Sequence, residues 1–179
     1  MRTTSCLICI TLMFLGAGVA GGDDSDRNNP LEPLNRRVGT WINKVVEKKA
    51  AWNPAERTTT GEETIKWVLD KSFIQGDVVM TDGLKGHWLI HYDEESKAYG
   101  SWFFGNKSFP RGETVGRWNP KLERMDWRFE VGPDLHGKMH FQFLGPDKME
   151  WEITIHDGRG QLMMETFGVQ TRKGKKLKQ

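Results

Sequence analysis

Residues 123–131, ERMDWRFEV, carry the pattern that decides the fold class. From Arg124 to Val131, charged and apolar residues alternate without a break. Successive side chains of a β-strand point to opposite faces of its sheet, so this alternation predicts a strand with one buried and one solvated face. The segments LKGHWLIHY (84–92) and KMEWEITIH (148–156) repeat the pattern. The chain is therefore predicted to be an all-β protein of antiparallel strands.

Turn-forming residues separate these segments at short intervals. The Asp-Gly pairs at 82–83 and 157–158 are typical of tight hairpins. Ten strands are predicted, at residues 38–48, 57–69, 72–81, 84–92, 97–105, 110–118, 121–131, 136–144, 148–156 and 161–171. No segment between them is long enough for a crossover helix, so the strands should form an antiparallel meander.

A sheet of ten strands has two exposed edges unless it closes on itself. Pairing the first strand with the last removes both edges, and with an even number of strands these two run antiparallel. The sequence therefore predicts an up-and-down barrel of about ten strands, with more interior space than an eight-stranded barrel. A flattened barrel or a two-sheet sandwich is the alternative.

The first 37 residues are predicted to lie outside the barrel domain. Residues 1–20 combine an early Arg2 with an apolar run and small residues, and are predicted to be a signal peptide cleaved after Ala20. The mature protein would then be secreted or periplasmic and without a membrane span; an uncleaved anchor is the alternative. Residues 21–37 are predicted to be a linker and a short helical turn that could plug the barrel.

The rest of the chain is predicted to be a barrel domain at 38–171 and a basic tail at 172–179. The chain has 26 Lys and Arg against 24 Asp and Glu, and the tail holds several of the basic residues. The body without the tail and the predicted signal peptide is thus mildly acidic, which argues against a nucleic-acid partner. The tail is expected to be solvated or to touch an anionic surface. Both cysteines, Cys6 and Cys9, lie in the predicted signal peptide, which excludes thiol chemistry in the mature chain.

Tryptophan is the residue type that bears most directly on function. Of the 8 tryptophans, Trp88 and Trp127 lie on apolar strand faces, and residues 98–104 are expected to alternate so that Trp102 joins them. The predicted ligand wall consists of Trp67, Trp88, Trp102, Trp127 and Trp151. Such rings more commonly fill a core, but they also suit a cavity for a small, mainly apolar or aromatic ligand, which is the functional hypothesis.

No pattern marks a catalytic residue. The 5 histidines do not supply three ligands from one segment, so no metal site is predicted, and haem is disfavoured because nothing marks out an axial histidine. No cofactor is therefore expected. Carboxylates such as Glu62, Glu63 and Glu152 are assigned to outer strand faces or turns. Two other functions stay open: a lyase or isomerase with at least two titratable side chains inside the barrel, and a filled barrel that acts through its outer surface.

The start of the first strand, Gly39-Thr40-Trp41, resembles the G-x-W motif of the calycin superfamily. That superfamily includes the lipocalins, the fatty-acid-binding proteins and the nitrobindin-like haem barrels. The resemblance implies that Gly39 and Trp41 are structural and that Trp41 packs at the closed end of the barrel. It also implies that a cation of the last strand, Arg172 or Lys173, covers the indole.

A second resemblance covers most of the mature chain. Its motifs here are Gly39-Thr40-Trp41, the strand residues Trp67, Leu69, Phe73 and Gln75, and the hairpin residues Tyr92, Asp93, Tyr99 and Trp102. Together they resemble an uncharacterised, often secreted bacterial family that is a domain of unknown function with a calycin-like barrel. The resemblance implies the fold and no activity. The chain departs from nitrobindin-like barrels, which have further glycines where residues 42–44 read Ile-Asn-Lys, and it lacks the disulfide and C-terminal helix usual in lipocalins.

Overall fold

The structure, a computed structural model, describes residues 29–107 and 113–174. Within these ranges it contains one helix and ten strands. They are α1 (Glu32–Arg37), β1 (Gly39–Glu47), β2 (Arg57–Val68), β3 (Phe73–Met80), β4 (Lys85–Asp93), β5 (Ala98–Gly105), β6 (Thr114–Asn119), β7 (Arg124–Gly132), β8 (Leu135–Gly145), β9 (Lys148–Asp157) and β10 (Leu162–Arg172). The predicted signal peptide, residues 1–20, lies outside the described residues.

The strands form a closed antiparallel barrel in which each strand pairs with its neighbours in sequence and β1 pairs with β10. The closing ladder runs from Trp41 opposite Arg172 to Glu47 opposite Thr166. The predicted ten-stranded up-and-down barrel is confirmed. Two strands begin later than predicted. β6 begins at Thr114 rather than at 110. β7 begins at Arg124 rather than at 121, because residues 120–123 form a turn whose last residue, Glu123, has a φ of 49°.

The helix lies against one end of the barrel, which we call the helix end. Pro33 in its first turn suits helix initiation, and Arg36 and Arg37 in its last turn suit the negative end of the helix dipole. Leu34 is fully buried in the core cluster at this end. The inward-facing side chains around it are also sealed from solvent. They are Trp41, Ile74, Met125, Phe143 and Met149, none more than 3% exposed.

Hydrogen bonds from three strands fix the segment that contains α1. The hydroxyl of Tyr99 on β5 donates to the carbonyl of Pro30 at 2.6 Å, and Trp67 Nε1 on β2 donates to Asn35 Oδ1 at 3.0 Å. On β10, Arg172 Nη1 donates to the carbonyl of Val38 at 2.7 Å. Because these bonds come from well-separated strands, the helix closes this end of the barrel.

The bond from Tyr99 predicts a loss of stability at high pH. Burial raises the pKa of this phenol above its ordinary value near 10, so the folded state holds the proton after the unfolded state has released it. The contribution of Tyr99 to the free energy of unfolding is complete below pH 10. It falls as the pH rises further, by about 1.4 kcal/mol per pH unit. Tyr99→Phe should be less stable than the parent at pH 7 by about 1 kcal/mol, and the difference should shrink or reverse by pH 11. Denaturant unfolding at pH 7, 9 and 11 measures both effects, and a constant difference would contradict the assignment.

Inward-facing tryptophans lie over glycines of the adjacent strand. Trp88 pairs directly with Gly76, and Trp151 pairs directly with Gly168. A Cβ at either glycine would overlap the indole ring, far inside van der Waals contact. Trp127 has the same relation to Gly116. These glycines therefore set where the rings lie within the interior.

Candidate functional site

Four of the five tryptophans predicted to form a ligand wall point into the barrel. Trp88 and Trp127 are buried, at 7% and 1% exposure. Trp151 and Trp67 are partly buried and pack against the core cluster. Trp67 lies at the helix end, where it bonds Asn35, and the other three lie deeper in the interior. The structure thus brings Trp88, Trp127 and Trp151 to one interior and leaves Trp67 at its closed end.

The expectation that Trp102 joins this wall is wrong. Trp88 pairs with Phe103, so Phe103 shares the inward face and Trp102 points outward. On the outer face, the Trp102 ring stacks on His91, with centroids 5.3 Å apart, and His91 stacks in turn on Phe73 at 5.2 Å. Alternation could not assign the face, because residues 102–104 are all aromatic. Only the pairing of β4 with β5 decides it.

Trp41 and Gly39 lie at the helix end beneath Arg172. Trp41 is fully buried, and its Nε1 donates to the carbonyl of Arg37 at 2.7 Å. The guanidinium carbon of Arg172 lies 4.2 Å from the centroid of its ring. Gly39 has a φ of +139°, and a Cβ there would meet Arg172 Nη1. Glycine is therefore required at this position by both backbone conformation and space.

A cluster of polar side chains lies inside the barrel, and the sequence did not predict it. Its members, which we call the interior polar cluster, are Arg37, Asn43, Glu63 and Gln170, each no more than 7% exposed. The Glu63 carboxylate accepts a hydrogen bond from Trp88 Nε1 at 2.5 Å and a second one from Gln170 Nε2. Glu63 therefore connects an aromatic wall residue of β4 with a polar residue of β10.

The assignment of Glu63 to an outer strand face is wrong. Its side chain shares the inward face of β2 with Ile65 and Trp67, at spacings of two and four residues. The spacing of two residues between Glu63, Ile65 and Trp67 was the signal in the sequence that could have placed Glu63 on the inward face. It was obscured because Glu62 and Thr64 flank Glu63, so the local stretch reads as wholly polar. Glu62, by contrast, is outward and pairs with Lys173 at 2.5 Å.

Arg37 enters the interior from the end of α1. Its guanidinium carbon lies 4.3 Å from the ring centroid of Trp88 and 4.6 Å from that of Phe141. Among the described residues no carboxylate lies within ion-pair distance of it, and its Nε has no hydrogen-bond partner. Burial lowers the pKa of Arg37 to about 10, an effect that the negative charge of Glu63 partly offsets. Arg37 is thus a cation at neutral pH, largely shielded from water.

Two amide oxygens of the cluster also lack hydrogen-bond partners within residues 29–107 and 113–174. They are Oδ1 of Asn43 and Oε1 of Gln170, whose residues are directly opposite each other on β1 and β10. A buried polar atom left without a partner costs about 1–3 kcal/mol. The interior therefore offers a cationic donor and two acceptors that the described part of the chain does not satisfy.

Beyond the cluster, away from α1, the interior is apolar and less tightly sealed. We call this region the far half. Five of its inward-facing side chains are only partly buried: Phe103, Phe129, Met139, Trp151 and Ile153. Ile155, which faces inward beyond Ile153 on β9, is fully buried. The interior thus has a closed end, a polar middle and an apolar far half.

The outer surface carries the histidines and a charged groove. His87 pairs with Asp77 at 2.8 Å, and His136 pairs with Glu130 at 2.5 Å. Within residues 29–107 and 113–174, no three His, Cys, Asp or Glu side chains converge as a metal site. A groove of about 950 Å³ on the outer face of β6 to β9 has several charged residues in its lining, among them Arg117, Arg128 and Lys138. In the same ranges no helix has the length and apolar character needed to cross a bilayer.

Solved structures share this barrel at low sequence identity. An S-type phycobiliprotein lyase from Guillardia theta superposes with a TM-score of 0.61 at 10% identity, over 86% of this chain and 98% of that one. Rv2717c from M. tuberculosis gives 0.60 at 11% identity, over 82% and 98%. A protein of unknown function of the DUF3598 family from Nostoc punctiforme gives 0.56 at 10% identity, over 78% of this chain and 49% of that one. The sequence matches no protein-family model and no curated protein. These likenesses show the fold alone.

Proposed function

We propose that this protein binds a small, mainly apolar or aromatic ligand inside its barrel, in the far half. The observation that carries the proposal is the difference between the two halves of the interior. Leu34, Trp41 and Met125 at the helix end are sealed, whereas Phe103, Met139 and Trp151 keep partial exposure although they point inward. Apolar inward-facing rings that are not fully covered by the protein suit an apolar ligand. The ligand wall is then Trp88, Trp127 and Trp151, with Trp67 and Trp41 as structural rings.

The fold likeness is compatible with this proposal. One structure with the same barrel is a phycobiliprotein lyase, so the fold serves functions beyond that of a filled scaffold. We also propose that the mature protein is secreted or periplasmic after cleavage near Ala20. Mass spectrometry of the N-terminus of the exported protein tests this, and a mature chain that retains residues 1–20 would contradict it.

A pair of tryptophan substitutions tests the site. Ile153 points into the far half, and the next residue, Thr154, points outward. Ile153→Trp should fill the far half and lower the affinity for 1-anilinonaphthalene-8-sulfonate, an aromatic probe, at least tenfold. Thr154→Trp adds the same ring outside the barrel and should leave that affinity within twofold of the parent. Fluorescence titration measures both, with thermal unfolding as the control for folding.

Two outcomes would count against interior binding. Equal losses in both variants would indicate a surface site for the probe. No binding of the probe or of long-chain alcohols by the folded parent would indicate a filled barrel, and the charged outer groove would then be the surface to investigate.

A lyase or isomerase is the second candidate function. It requires at least two titratable side chains inside the barrel, and Glu63 and Arg37 meet that requirement. Glu63 would move the proton, since a carboxylate held among rings can act as a general base. Incubation with a bound ligand, followed by mass spectrometry, should then reveal a product that Glu63→Gln fails to form while it still binds the ligand. An unchanged ligand after incubation with the parent protein would exclude this candidate for that ligand.

A further inference from the structure

The interior holds a buried cation that forms no ion pair among the described residues. Arg37 is 7% exposed, and neither a hydrogen-bond partner for its Nε nor a carboxylate in ion-pair contact with it is found in those residues. Glu63, the acidic member of the interior polar cluster, directs its two oxygens to Trp88 and Gln170 instead. The carboxylate whose charge acts on Arg37 is therefore hydrogen-bonded to other residues.

Arg37 contacts two aromatic rings. Its guanidinium carbon lies 4.3 Å from the centroid of Trp88 and 4.6 Å from that of Phe141, and its Nε has no hydrogen-bond partner among the described residues. The N–H groups of a guanidinium lie in its plane, in the fork that matches a carboxylate or phosphate. An anionic group is therefore the partner that fits this side chain.

The two amide oxygens without partners among the described residues require a hydrogen-bond donor in the same part of the barrel. Gln170 connects to Arg37 through Glu63 and Trp88, and Asn43 is its cross-strand partner. Oδ1 of Asn43 and Oε1 of Gln170 both require an N–H or O–H from outside the described protein groups. An acidic group alone would satisfy Arg37 but not these two acceptors.

We propose that the ligand is an acidic amphiphile. Its apolar body would occupy the far half, its acidic head would accept hydrogen bonds from Arg37, and a hydroxyl or N–H beside the head would donate to Asn43 or Gln170. This inference rests on the proposed function and adds the chemical class of the ligand. The interior polar cluster would bind the head of the ligand, and the far half would bind its apolar body. This order matches the order of polar and apolar side chains along the barrel from the helix end.

Three probes with the same apolar chain test the head group. They are dodecan-1-ol, dodecanoic acid and 2-hydroxydodecanoic acid, titrated below their aggregation concentrations at pH 7.5 by isothermal calorimetry. The acid should bind the parent protein at least about tenfold more tightly than the alcohol, as expected for a charge-assisted hydrogen bond. The hydroxy acid should bind several-fold more tightly again, because its hydroxyl satisfies an amide oxygen.

Substitution of Arg37 distinguishes the effect of its charge on ligand affinity from the effect of the apolar interior. Arg37→Met keeps an apolar side chain between the two rings and should reduce the affinity for the acid to that for the alcohol, with the alcohol unchanged. Because this change leaves Glu63 as an isolated buried charge, the double variant Arg37→Met with Glu63→Gln is made in parallel. Its thermal unfolding shows whether the barrel is intact, and its binding profile should be that of the single variant.

The outcomes distinguish this inference from the proposed function. Equal affinities of the parent protein for acid and alcohol, or an acid preference that survives in both Arg37 variants, would overturn the acidic head while leaving interior binding in place. Equal affinities for the two acids would overturn the part played by the amide oxygens. Failure of all three probes to bind would overturn the inference together with the proposed function.

Discussion

Trp41→Ala is expected to destabilise the barrel by about 3–5 kcal/mol, the usual cost of removing a fully buried large aromatic ring. Trp41 is 0% exposed and belongs to the core cluster at the helix end. Its loss also leaves the carbonyl of Arg37 without its donor and removes the ring beneath Arg172. Three stabilising contacts are thus lost with one side chain, and they hold α1, β1 and β10 together.

The matched control is Trp52→Ala. Trp52 lies between β1 and β2, is 48% exposed, and makes its described hydrogen bond through the backbone N–H, which alanine retains. Its removal should change stability by less than about 0.5 kcal/mol. Urea unfolding of the parent and both variants gives the comparison. Similar midpoints for the two variants would show that the helix end does not hold the barrel closed.

Gly76→Ala should cost about 3 kcal/mol although it adds a single methyl group. The new Cβ would overlap the Trp88 ring, and overpacking of a rigid core costs about 1–3 kcal/mol by itself. A displaced Trp88 also withdraws its N–H from Glu63 and its ring from Arg37. Since Glu63 is buried, the loss of a donor to its carboxylate adds to the steric cost.

Two comparisons isolate this effect. At Gly158 an added Cβ would lie 3.8 Å from the nearest atom, the carbonyl oxygen of Asp134, so Gly158→Ala should be nearly neutral. In a Trp88→Leu background, Gly76→Ala should cost at least 1 kcal/mol less than in the parent, because the overlapping ring is gone. Tryptophan fluorescence of Gly76→Ala should also differ from that of the parent. Equal costs in the two backgrounds would mean that Trp88 does not lie over Gly76.

Periodicity predicted most of the fold because it is a local property. In β7 and β9 apolar and polar residues alternate cleanly, and their inward faces were read directly from the sequence. The closure of β1 on β10 followed from the even number of strands and from the cost of exposed edges. Periodicity failed at Trp102, where neighbouring residues are equally aromatic, and at Glu63, where neighbouring residues are equally polar.

The sequence by itself determined the barrel, its strands and the enrichment of its interior in tryptophan, since these depend on residues close together in the chain. Only the tertiary structure decided that Arg37, Asn43, Glu63 and Gln170 meet inside it. These residues come from α1, β1, β2 and β10, and 107 positions separate Glu63 from Gln170. Their meeting depends on the register of barrel closure and on the docking of α1, which no local pattern encodes.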